Sequence, residues 1–242
     1  HAEENLTFNT KIAELNKSLS AAQLKADKWD LVDAAMADKT RSNFALWTGG
    51  TKEYKLPFLN TKNMAILSSG NFDNNVTELG LDLTSATTLE SMFMSKKSLR
   101  RIELRNTDNI TSMQNGFSNS TSLREVILGD MTHCNTFRLA FNTCTSLEKV
   151  TLGKHSRVVD FSYMFQYCYA LKEIVGELNL LVARATTSMF EGCSNLEKVS
   201  FAQKSINMDI SLLSCQSLSR ESVLSLLNGL VENGERTLNL SK

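Results

Sequence analysis

The sequence predicts an α/β solenoid of about six turns, each of roughly 24 residues with one short strand, preceded by a coiled-coil-like helix. Three observations predict it. A four-column motif recurs between residues 93 and 199. Short segments of period-two alternation recur in step with it. The first 37 residues carry heptad-spaced apolar residues instead.

The repeat is clearest when the chain is aligned on phenylalanine. Phe93, Phe117, Phe141, Phe165 and Phe190 are separated by 24, 24, 24 and 25 residues. Three positions later stand Lys96, Ser120, Cys144, Cys168 and Cys193. Leucine follows at Leu99, Leu123, Leu147, Leu171 and Leu196, and then Ile102, Val126, Val150, Ile174 and Val199. A degenerate sixth copy holds Leu212, Cys215 and Leu218. One such turn cannot bury its own apolar face, whereas stacked turns share a continuous core.

The strands are read at "RIEL", "EVIL" and "KVTL", with Ile102 and Leu104 inward and Glu103 outward. "SYMFQYC" and "TSMFEGC" read as short helical returns that send Met164, Phe165, Met189 and Phe190 inside. The recurring cysteine reads as a small apolar filler, reduced and buried. Equivalent residues of stacked turns point the same way, which is poor geometry for disulfides.

The pattern "MF-x-x-C-x-x-L-x-x-V-x-L", as in "MFQYCYALKEI" and "MFEGCSNLEKVSF", resembles the BspA-like leucine-rich repeats over roughly residues 76–230. The tail "LSRESVLSLLNGLVENGERTLNL" resembles the segment that closes such arrays. The resemblance implies recognition or adhesion at a bacterial, parasite or phage-associated surface, and no catalytic residues. The first turns depart from the pattern, with Lys96 and Ser120 in place of cysteine.

The N-terminal arm, residues 1–38, contains Phe8, Ile12, Leu15, Leu19, Ala22, Ala26 and Trp29 at alternating steps of four and three. That is an a/d seam over about three heptads, broken at Asp33. It reads either as an oligomerisation helix, forming a homo-trimer or another homo-oligomer, or as a cap folded on the chain's own solenoid. Residues 39–75 read as a β-rich adaptor, with short apolar runs "NFALW", "YKLPFL" and "MAIL" between turn signals. Residues 76–242 form the solenoid and its closing segment. The chain opens on His1, so it reads as a processed chain or a part of a longer one.

A leucine-rich-repeat ladder offers its outward strand columns to partners. One column is Arg101, Glu125, Lys149, Glu173 and Lys198. Its signs alternate, so it reads as a structural row that fixes register. The next column, Glu103, Ile127, Thr151, Val175 and Ser200, is mixed and partly apolar, and is the candidate binding face.

Lys+Arg and Asp+Glu both number 26, and this zero net charge argues against nucleic acid as a partner. No apolar run nears the 18 residues of a membrane span. The five cysteines form no C-x-x-C pair, and adjacent His133 and Cys134 make a poor chelate, so no metal or cofactor is expected. No G-x-S-x-G, H-E-x-x-H or phosphate-binding loop occurs, and the chain reads as non-enzymatic. Three roles follow: the host- or partner-binding part of a phage fibre or particle-surface protein; a bacterial cell-surface adhesin; or a structural spacer. The first two place the chain outside the cell, on a cell or virion surface, with a protein or glycan as partner.

Overall fold

The computed structural model describes residues 54–60, 76–84, 86–232 and 237–240. The seam Phe8, Ile12, Leu15, Leu19, Ala22, Ala26 and Trp29 lies outside these residues, as do "NFALW" and "MAIL".

Seven strands form one parallel sheet in chain order: β1 (Tyr54–Asn60), β2 (Val76–Asp82), β3 (Arg101–Arg105), β4 (Glu125–Leu128), β5 (Lys149–Thr151), β6 (Glu173–Leu178) and β7 (Lys198–Phe201). Sequential order with every pair parallel is the signature of a coil that advances one strand per turn, giving about seven turns where the sequence implied about six. β1 falls at "YKLPFL", within residues 39–75, and pairs with β2 as the first strand of the same sheet. A second column of parallel bridges, Thr88 to Ser112 to Thr136 to Asp160 to Ala185, ties the returns together.

The core is the set of repeating columns. The five phenylalanines, the five leucines and the Ile/Val column are all at most 3% exposed. The phenylalanine rings form a ladder, with centroids 5.1, 5.3, 5.3 and 5.9 Å apart and planes within 13° of parallel. These separations lie in the offset-stacked range, where each pair contributes about 0.5–1.5 kcal/mol beyond its buried area.

The returns are not helical, which corrects the α/β class to a β-solenoid. Each return is a run of linked turns with two left-handed residues four apart: Ser91 and Ser95, Asn115 and Asn119, Leu139 and Thr143, Tyr163 and Tyr167, Ser188 and Gly192. The physical reason lies in the hydrogen bonds. In a helix every N–H would turn back on its own segment. Here the N–H groups of Phe161, Tyr163, Phe165 and Tyr167 donate to Ala185, Thr187, Met189 and Glu191 of the next turn, at 2.7–2.9 Å. Those of Met164, Gln166 and Cys168 close local bonds three residues back. A left-handed residue at each second turn lets alternate amides face the neighbouring coil. Met164 and Met189 are buried, as the sequence implied.

Among the described residues one helix occurs, α1 (Arg220–Gly229), capped by Ser219, whose side chain accepts from the Ser222 N–H. It covers the open edge of β7. The N–H groups of Val199 and Phe201 donate to Ser222 Oγ (2.9 Å) and Ser225 Oγ (2.8 Å). In turn, Ser222 Oγ donates to the Glu197 carbonyl at 3.1 Å. Two serines one turn apart thus stand in for the missing strand, removing an edge that would otherwise invite pairing. The short parallel strands β8 (Ile210–Leu212) and β9 (Leu238–Leu240) follow the stack.

Candidate functional site: the strand ladder and the columns behind it

Parallel register fixes which side chains share a surface. Glu78, Arg101, Glu125, Lys149, Glu173 and Lys198 are successive partners across β2 to β7, so the alternating charge row exists and begins one turn earlier than the sequence implied. Arg101 Nε meets Glu125 at 2.8 Å, Lys149 meets Glu173 at 3.1 Å, and Lys198 meets Glu173 at 3.7 Å. These side chains are a third or more exposed. Each pair is therefore worth about 0–1 kcal/mol, and the row contributes register more than stability.

The neighbouring column is only partly as expected. Glu103, Ile127, Thr151 and Val175 are successive partners, each half-buried. Ser200 is not the fifth member. Glu173 pairs with Lys198, 25 residues on, whereas Glu177 pairs with Ser200, 23 residues on, so β6 accommodates two additional residues in a bulge. Gly176 sits there at φ +96°, and a Cβ on it would stand 2.4 Å from the Leu152 carbonyl oxygen. The bulge therefore needs glycine, and it carries exposed Ser200 opposite Glu177. Glu103 is clamped by Arg105, whose Nε and Nη2 lie 2.9 and 2.8 Å from Oε1, and by Arg101 at 3.4 Å. The apolar centre of the column is Ile127 and Val175, flanking Thr151.

Behind the returns the cysteine column does more than fill space. The thiols of Cys144, Cys168 and Cys193 each donate to a phenylalanine carbonyl of the preceding turn, those of Phe117, Phe141 and Phe165, at 3.1 Å. Ser120 makes the same bond to Phe93 at 2.6 Å, so its presence in the column is no departure. All five cysteines are buried, and none is in a disulfide. Burial pushes the Cys134 thiol up to about 11 and those of Cys144 and Cys215 up to about 12. Burial also raises Cys168 and Cys193, with neighbouring thiols adding to the shift. Such groups stay protonated, and a thiol is a poor nucleophile.

Among the histidines, His133 is exposed while adjacent Cys134 is buried, so the two point to opposite sides. His155 is buried between turns, with Nδ1 2.8 Å from the Gly153 carbonyl and Nε2 3.3 Å from the Asn179 N–H. Those partners fix a neutral ring that donates from Nδ1 and accepts at Nε2, and burial lowers its pKa. Among the described residues no cluster of three or more His, Cys, Asp or Glu could hold a metal ion.

Sequence reasoning passed over the return side. There Tyr163, Tyr167 and Tyr169 stand in columns that hold mostly serine, asparagine, threonine or glycine elsewhere, and this break in the repeat was the available signal.

A parallel coil of one strand per 24-residue turn, with an internal leucine column and an outward ladder, defines a leucine-rich-repeat solenoid. The chain belongs to the BspA type leucine rich repeat family, whose model matches it in six copies over residues 86–219. No curated protein and no solved structure matches the chain. The family's repeats are generally protein-binding and surface-associated and typically non-enzymatic.

Proposed function

We propose that this chain is the non-enzymatic, partner-binding part of a phage fibre or other particle-surface protein, displayed outside the cell and binding a protein or glycan on a cell surface. The observation that carries the reading is the column Glu103–Ile127–Thr151–Val175, half-buried and partly apolar, running beside a charge row that neutralises itself. A self-paired row presents little net field, so it suits neither nucleic acid nor an anionic lipid surface. Contacts summed over a stack suit a macromolecule better than a substrate held in one pocket. The seam from Phe8 to Trp29 supplies assembly, as a homo-trimer or another homo-oligomer.

The test is binding of the full labelled chain to candidate host cells by flow cytometry. Changing Ile127, Thr151 and Val175 together to lysine abolishes binding while circular dichroism and the melting transition still report a folded chain. Undiminished binding by the folded variant moves the site off the ladder.

A further inference from the structure

The return side of the fifth turn breaks the chemistry of its neighbours. The position two residues before the phenylalanine is Ser91, Asn115, Leu139, Tyr163 and Ser188 along the stack. The position two after it is Ser95, Asn119, Thr143, Tyr167 and Gly192. All ten residues are left-handed. That conformation suits glycine and small polar residues and is costly for a bulky side chain. Tyr163 and Tyr167 nevertheless hold φ of 60° and 62°. The fold does not require tyrosine there, because serine, asparagine and threonine serve the same backbone in other turns. Leu139 bears the same cost one turn earlier, so the mark of the fifth turn is that its large residues are aromatic and, at Tyr167 and Tyr169, exposed.

The geometry is that of a shallow platform. Tyr167 and Tyr169 stack with ring centroids 6.0 Å apart and planes 29° from parallel. They stay 37% and 49% exposed, although both are large aromatics. Gly192 of the next turn leaves room for the rings: a Cβ there would stand 3.1 Å from Tyr167 Cδ1 and 3.2 Å from Tyr169 Cε1. Along one edge runs a chain of planar polar groups. Asn142 Nδ2 donates to Gln166 Oε1 at 2.9 Å, and Gln166 Nε2 donates to Glu191 Oε2 at 2.7 Å. The Tyr167 hydroxyl donates to Glu191 Oε1 at 3.3 Å. On the same return, Arg138 of the preceding turn lies 5.2 Å over the Tyr163 ring and 3.9 Å from Asp160, so its charge is already engaged.

We infer that the Tyr167–Tyr169 platform, edged by Asn142, Gln166 and Glu191, is a second binding site, for a neutral pyranose glycan. A pyranose presents one face of C–H groups and a rim of hydroxyls. The C–H face matches exposed aromatic faces, which are apolar on the ring and polar at the tip. The rim matches amides, which both donate and accept, and a carboxylate, which accepts, all held in fixed orientation by the chain of bonds. Glu191 is ionised, its carboxyl held below the usual range by the bonds from Gln166 and Ser188. A uronate or sialate brought to that edge meets like charge, so the sugar is neutral. The site lies on the return side, separate from the ladder, and stands or falls independently of it.

The experiment is saturation-transfer NMR on the full chain. The probes are glucose-, galactose- and N-acetylglucosamine-containing oligosaccharides, with an oligogalacturonate as the acidic comparison. Transfer is expected to at least one neutral probe, strongest at the protons of one ring face, and weaker by tenfold or more to the acid. In the same titration the ring resonances of Tyr167 and Tyr169 in the unaltered chain move. The double variant Tyr167→Thr/Tyr169→Thr reproduces the residues of the preceding turn, Thr143 and Thr145, and loses affinity at least tenfold. The Ile127→Lys variant binds sugar normally. Absence of transfer to every neutral probe at millimolar concentration overturns the inference. So does undiminished binding in the folded double variant, or sugar contact that leaves both tyrosine rings unmoved. If the tyrosine variant loses binding only to a protein that has been stripped of glycans, the platform is a protein contact and the glycan assignment falls.

Discussion

Replacing Phe165 with alanine removes the fourth rung of the ring ladder, and its cost can be worked from the structure. The ring is fully buried and stacks on Phe141 at 5.3 Å and on Phe190 at 5.9 Å. Truncating a buried phenylalanine costs about 3–5 kcal/mol, and less where the surroundings can collapse into the void. Collapse is hindered here. The N–H of Phe165 donates to the Met189 carbonyl at 2.9 Å and that of Phe141 to the Met164 carbonyl at 2.9 Å, so backbone bonds on both sides hold the turns at their spacing. The lost stacking on two neighbours adds to the void. We expect the upper part of the range, about 4–5 kcal/mol. At roughly 2–4 °C per kcal/mol for a domain of this size, the melting temperature falls by about 8–20 °C. Because each turn contacts only its neighbours, the loss also weakens coupling between the two halves of the stack, and the urea transition broadens. Equilibrium urea unfolding followed by circular dichroism measures both effects. A stability change under about 1 kcal/mol would refute the claim that backbone spacing prevents the ladder from closing.

The thiol column gives a second expectation. Cys144→Ser keeps a donor where Ser120 already serves, and costs less than about 1 kcal/mol, whereas Cys144→Val removes the donor, adds a branch and costs about 1–3 kcal/mol; equal costs in urea would show the bond to the Phe117 carbonyl to be incidental. His155 gives a third. Its folded pKa lies below the unfolded value of about 6.5, so the unfolded chain binds more protons in that window. The contribution is fully present above about pH 6.5 and is lost as pH falls toward the folded value. Urea midpoints at pH 7.5, 6.5 and 5.5 should therefore decline, and His155→Leu should flatten the decline; an unchanged slope in the variant assigns it to other groups.

The parts of the fold that repeat were legible in the sequence. The 24-residue spacing of phenylalanine implies stacked turns, and period-two alternation places Ile102, Val126 and Val150 inside and the Arg101 row outside. The returns were misread as helical because "SYMFQYC" satisfies a helical pattern as well as a turn pattern. What decides between them is the neighbour's carbonyls, Ala185 to Glu191, which local sequence does not display. The bulge in β6 did leave a signal. A glycine inside a strand, as in "EIVGEL", marks a bulge, and the 25-residue step from Phe165 to Phe190 falls across the same turn. Taken together they would have moved Ser200 out of the Glu103 column. The thiol's bond to a phenylalanine carbonyl was hidden, since a cysteine that packs and a cysteine that donates look alike in a sequence, although Ser120 in the same column was a hint of polarity.

A solenoid separates the residues that hold it from the residues free to vary, and it does so by column. The phenylalanine and leucine columns keep one residue type through five turns because each rung must match the one below it. The return-side left-handed positions keep a backbone and not a side chain, so serine, asparagine, threonine, leucine and glycine all occur there. Outward strand positions next to the charge row are similarly unconstrained, and read glutamate, isoleucine, threonine and valine. Recognition can therefore be written only in those two places without disturbing the stack. Of the two, the ladder's variation costs the fold nothing. The tyrosines at 163 and 167 oppose a backbone preference that most other turns, Leu139 and Thr143 apart, satisfy with serine, asparagine or glycine. Leu139 and Thr143 carry a comparable cost one turn earlier, so what sets the fifth turn apart is that its large residues are aromatic and, at Tyr167 and Tyr169, exposed, and this makes it the place where the chain is specialised.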